Sequence, residues 1–92
     1  MQNFQDIFPE IYTLLTAWFS DDGNDEKVVK EFVTEESKEM INKVLKEGKT
    51  LLSGDSKYRE KIGDLANRSF DSQKQSEEWL FDILSSIEKN VA

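Results

Sequence analysis

An all-α fold, a single compact bundle of about five short amphipathic helices, follows from three features of the sequence. Apolar residues recur at spacings of three and four through most of the 92 positions. One Pro and four Gly leave long uninterrupted segments, and no period-two alternation or Asn-Gly hairpin signal is present. The connections between the periodic segments are short, which favours a bundle. The length fits one domain over residues 1–92, because a second core would not fit. Hydrophobic residues are 37% of the chain, enough for one small core and too many for a disordered chain. No internal repeat or low-complexity tract is visible.

The first helix opens at Pro9, a residue suited to the first helical position. Ile11, Tyr12, Leu14, Leu15, Trp18 and Phe19 form its stripe, and the turn-rich Ser20-Asp21-Asp22-Gly23-Asn24 ends it. The second spans about Asp25 to Glu35, with Asn24 or Asp25 as N-cap and Val28, Val29, Phe32 and Val33 on one face. The third starts near Ser37, a further N-cap, and runs to about Leu52 with Met40, Ile41, Val44, Leu45, Leu51 and Leu52 inward. Gly48 inside it costs about 1 kcal/mol relative to Ala, so a bend or a close helix contact is expected there. Gly54 fits the C′ position after this helix, and Asp55 or Ser56 the next cap. A short, weakly apolar fourth helix (Tyr58, Ile62, Leu65) reaches about Ala66, and Asn67 to Asp71 is a loop. Ser72 and Gln75 have capping-box spacing. The last helix then runs to about Asn90 with Trp79, Leu80, Ile83, Leu84 and Ile87 inward.

Two absences exclude most chemistry. Without Cys there is no disulfide, thiolate metal site or cysteine nucleophile. Without His there is no catalytic triad, imidazole ligand or imidazole base. Paired carboxylates such as Glu78 and Asp82 read as surface residues, and no enzyme is expected. No apolar run reaches the roughly 18–20 residues that span a bilayer, and Met1 to Asp6 carries no signal-peptide pattern. Neither a membrane nor a secretory route is expected, and Asn67-Arg68-Ser69 is a chance sequon.

The net charge is −7 and unevenly placed. Residues 1–36 hold nine acids and two bases, whereas residues 37–92 hold ten of each. Such a field repels nucleic acid and favours a basic partner, although acidity also serves solubility. Asp21 to Glu26 invites a calcium reading, but an EF-hand loop starting at Asp21 would need a ligand where Gly23 stands, Gly where Glu26 stands and Glu where Phe32 stands. No metal and no cofactor is expected. Asp25 and Glu26 suit a helix N-terminus, which leaves Asp21 and Asp22 unexplained by the helix dipole. Lys43, Lys46 and Lys49 share one side of the third helix and read as a solvated face. Phe4, Phe8, Tyr12, Trp18 and Phe19 read mainly as core, with one or two left partly exposed as interface anchors.

A resemblance sharpens this. Phe8-Pro9-Glu10-Ile11-Tyr12, then Trp18-Phe19, then Asp21-Asp22, then Val28-Val29-Lys30-Glu31-Phe32, then Glu36-Ser37 and a terminal Glu78-Trp79-Leu80 helix resemble, in order and spacing, the immunity proteins of bacterial contact-dependent growth inhibition systems (the CdiI type). The similarity covers roughly Phe8 to Leu84. It implies a cytoplasmic, non-catalytic antitoxin that binds the C-terminal toxin domain of its partner, often a nuclease with a basic cleft. On that reading Asp21, Asp22, Asp25, Glu26, Glu31 and Glu35 are the expected toxin-binding residues, in a 1:1 complex with a monomer. The alternative is a helical adaptor or self-associating module that takes a partner helix in an apolar groove.

Overall fold

The computed structural model describes residues 3–20, 23–54 and 56–91. Among these residues there are seven α-helical segments and no strand: α1 (Phe4–Ile7), α2 (Pro9–Thr13), α3 (Asp25–Glu35), α4 (Lys38–Ser53), α5 (Ser56–Arg59), α6 (Ile62–Leu65) and α7 (Gln73–Val91). A π-helical segment, Leu14–Phe19, continues α2. The expected all-α bundle is therefore observed. Its four main rods are α2 with the π segment, α3, α4 and α7, and three single turns fill the gaps between them. The expected fourth helix is two separate turns, and α1 is an additional one.

Each rod begins where a side chain can satisfy free N–H groups. Asn24 caps α3, its Oδ1 accepting from the Lys27 N–H at 3.1 Å. Ser37 caps α4, its Oγ accepting from Met40 at 3.2 Å. Ser72 Oγ accepts from the Gln75 N–H at 3.2 Å at the head of α7. Gln75 Oε1 reaches back to the Asp71 N–H rather than to that of Ser72, so the box is one residue wider than the spacing suggested. Pro9 stands at the start of α2 as expected, but the preceding Phe8 has no side-chain acceptor to offer. A carboxylate from elsewhere does the work: Glu47 Oε1 on α4 accepts from the N–H groups of Glu10 (2.9 Å) and Ile11 (3.2 Å).

The π segment departs from the uninterrupted α-helix the spacing suggests. The i→i+5 winding of a π-helix brings Leu14 and Phe19 towards the same side, and both are buried along with Leu15. Trp18 meets Phe32 of α3 edge-on at 5.3 Å, and Phe19 meets Trp79 of α7 edge-on at 5.4 Å. An α-helical register would carry Phe19 further round the axis than this contact allows.

α3 and α4 both pack on α7. Val28, Val29 and Phe32 from α3, Ile41, Val44 and Leu51 from α4, and Leu80, Ile83, Leu84 and Ile87 from α7 are buried in one core. Gly48 is the point of closest approach. A Cβ there would overlap both δ-methyls of Leu84, so the residue marks a close helix contact.

Gly54 is the C-cap of α4 itself, with a negative φ of −98°, rather than the expected C′ residue beyond it. Its smallness serves differently, since a Cβ would lie 2.9 Å from the Thr50 carbonyl. The freed carbonyls of Leu52 and Gly54 accept instead from Arg59 Nη1, at 3.2 and 2.6 Å. The left-handed cap occurs at Asn67 (φ 55°) after α6. There Arg68 N–H bonds the Gly63 carbonyl and Asn67 N–H that of Asp64, the paired bonds of a Schellman turn.

Gly48→Val should lower stability by about 2 kcal/mol, because the added branches cannot avoid Leu84 by a rotamer change. Urea unfolding with an unchanged m-value would check it. Burial holds the Glu47 carboxyl above its ordinary value of 4.5, opposed by the hydrogen bonds from Ile11 and Glu10. A raised folded pKa contributes stability that is fully present below the ordinary value and lost as pH rises through the folded one. Glu47→Gln keeps an acceptor without that charge. Its stability relative to wild type should therefore climb through that pH window and then level off, whereas Glu47→Ala should cost about 1–2 kcal/mol at neutral pH. Denaturant melts at stepped pH would read both.

Candidate functional site

The candidate site is a surface, and its centre is α3. The helix turns Val28, Val29 and Phe32 inward, which leaves Glu26, Lys27, Lys30, Glu31, Thr34 and Glu35 exposed on the outer arc. Helical spacing sorts these into two rows. Glu26 and Lys30 form one, with Oε1 and Nζ 3.6 Å apart. Lys27, Glu31 and Glu35 form the other, with Lys27 3.9 Å from Glu31. Both pairs are solvent-exposed, where such pairs are worth only about 0.3–0.5 kcal/mol, so the carboxylates can re-pair with a partner at small cost.

Asp25 is placed differently from the other expected site residues. Its side chain is about one-third exposed and turned towards α7. Trp79 Nε1 donates to Asp25 Oδ2 at 2.7 Å, and Arg68 Nη2 lies 2.6 Å from Oδ1. The Arg68 guanidinium also lies over the Trp79 ring at 4.9 Å. Asp25 thus joins the start of α3 to α7 and to the loop before it. Asp21 and Asp22, also expected site residues, lie outside the described residues.

Two lysines of α4 lie beside carboxylates: Lys43 is 3.8 Å from Glu39, and Lys49 is 3.4 Å from Glu88 of α7. Among the early aromatics Phe4, Phe8 and Phe19 are buried, while Tyr12 and Trp18 are half-buried. Among the described residues, no three acidic side chains gather as a group that could hold a metal ion. Among the described residues no helix is long and apolar enough to cross a membrane.

A family model described as CdiI immunity protein matches residues 7–87. The chain belongs to the CdiI immunity protein family. No curated protein and no solved structure matches it. As an immunity protein it neutralises the toxin of a contact-dependent growth inhibition system. Of the residues that carry the resemblance in the sequence, Phe8, Ile11, Phe19, Val28, Val29, Phe32 and Leu80 are buried and Ser37 is a cap. The likeness is carried chiefly by side chains that build the CdiI bundle.

The surface also holds a residue that the sequence reading passed over. Phe81 on α7 is 61% exposed, the one large hydrophobic side chain so exposed among the described residues. Its position outside the Leu80, Ile83, Leu84 and Ile87 stripe is the signal that could have found it.

Asp25→Ala in this CdiI protein should cost about 2 kcal/mol, because it leaves the Trp79 N–H without its acceptor and removes the carboxylate beside Arg68. Asp25→Asn, which keeps an acceptor for the indole, should recover part of the loss. Chemical denaturation followed by tryptophan fluorescence would compare the three proteins.

Proposed function

We propose that this immunity protein neutralises a nuclease toxin by laying carboxylates of its first 36 residues against the basic, phosphate-binding face of the toxin's C-terminal domain. The complex is 1:1 and forms in the cytoplasm, and inhibition is by binding alone. One observation carries the reading: the whole net charge of −7 falls within residues 1–36, and in that stretch Glu26, Glu31 and Glu35 are solvent-exposed on α3. A cleft that holds phosphates presents Lys and Arg, and opposite potentials steer two such surfaces together. Asp21 and Asp22 precede the same helix in sequence and add to the field. The apolar side of α3 is committed to the core, so its contribution to a partner is electrostatic, with steering in the on-rate and desolvated pairs in the off-rate. Asp25 supports this surface from beneath by fixing the start of α3.

Calorimetric titration of the cognate toxin domain at low and high salt tests the proposal. Wild-type protein should bind tightly, and more weakly as salt rises. Glu26→Lys, Glu31→Lys and Glu35→Lys combined should weaken binding by about tenfold or more and flatten the salt dependence, as should Asp21→Lys with Asp22→Lys in a second variant. Unchanged affinity in both variants would remove the acidic third from the interface.

A further inference from the structure

The outer side of α7 carries a second feature with the composition of a binding surface. Phe81 projects into solvent over a shallow groove lined by Leu52 of α4 and by Lys74, Glu77, Glu78 and Asp82 of α7. Placing a phenyl ring in water forgoes the favourable burial that the rest of the apolar set obtains. Phe81 makes no aromatic pair, whereas Phe4, Phe8, Phe19, Phe32 and Phe70 each meet another ring. Its flanks are predominantly acidic, with Lys74 the one base among the groove residues. Glu78 and Asp82 stand three residues before and one after it, exposed, and neither side chain makes an ion pair or hydrogen bond with another described residue. Glu77 behind them is different: Arg59 Nε lies 3.2 Å from its Oε1, and Gln73 donates to its Oε2. The groove wall is thereby fixed while the two outer carboxylates stay available.

We infer that Phe81 is an apolar anchor for the toxin, entering a hydrophobic pocket whose rim carries Lys or Arg that pair with Glu78 and Asp82. The inference rests on the toxin-binding reading above and adds a contact on a different helix. The charge pattern selects the occupant. A second copy of this chain would bring a groove with three carboxylates (Glu77, Glu78, Asp82) and one ammonium (Lys74) against the same set, whereas a basic partner would neutralise Glu78 and Asp82. A central aromatic ringed by polar groups is also the arrangement in which few residues carry most of the binding energy. Leu52, half-buried at the base of the groove, gives the partner an apolar surface beside the ring. Phe81 stands outside the core, so it can be changed without disturbing the bundle.

The experiment is calorimetric titration of the cognate toxin domain with full-length wild type, Phe81→Ala and the pair Glu78→Lys with Asp82→Lys, each checked by thermal melting and by mass in solution. Phe81→Ala should keep the wild-type melting temperature and weaken binding by about 30-fold or more, at low and high salt alike. The double charge reversal should weaken binding most at low salt. Wild-type affinity in Phe81→Ala, with the toxin still bound by wild type, would overturn this inference and leave toxin binding intact. No binding by wild type would overturn the toxin reading itself and this contact with it. A wild-type dimer that Phe81→Ala converts to a monomer, with toxin affinity unchanged, would assign the surface to a second copy and also overturn the inference.

Discussion

The indole of Trp79 joins segments that local preference leaves separate. Its N–H holds Asp25 at the start of α3, one ring neighbour is Phe19 at the end of the π segment, and another is Phe70 in the loop before α7. Arg68 closes the arrangement by lying over the ring while its guanidinium pairs with Asp25. The position of α3 along α7, and hence the direction in which Glu31 and Glu35 point, depends on this half-buried side chain together with the core the two helices share. A single polar link of this kind is worth little in energy compared with the apolar core, yet it is directional where burial is not. The core determines that α3 packs on α7, and the Asp25 link determines where along α7 it starts.

Much of the fold is legible because its causes are local. Asn24 and Ser37 read as caps, α3 occupies the residues its Val28, Val29, Phe32 and Val33 face implied, and Gly48 announced a close contact without naming Leu84 as its partner. The parts that were not legible depend on residues far along the chain. Glu47 caps a helix 36 residues earlier, which no spacing rule encodes. The π widening at Leu14–Phe19 follows from where Phe32 and Trp79 stand. Asn67, read as loop, is an Asn in the left-handed position that Gly more often fills, a signal present in the sequence but weaker than glycine.

The candidate surface was less legible than the fold, for a physical reason. Burial leaves a periodic trace in sequence, and solvent exposure leaves none that separates a contact residue from a solubilising one. Asp25 and Glu26 are adjacent acids in the same first turn, yet one is held by Trp79 and Arg68 and the other faces water. Family membership has the same limit. The residues that carry the CdiI likeness mostly hold the bundle together, so they establish what the protein does without specifying which toxin it fits.

The order of elements along the chain sets a further constraint. As the protein is synthesised, α3 and α4 emerge before α7, the helix on which both pack. Until residues 73–91 follow, the apolar faces formed by Val28, Val29 and Phe32 and by Ile41, Val44 and Leu51 lack their common cover. A chain at that stage exposes apolar surface, and the excess of negative charge in residues 1–36 would keep neighbouring chains apart during that interval. The acidity proposed above to meet a basic toxin face would on this account also protect the antitoxin on the ribosome, before there is any toxin to meet.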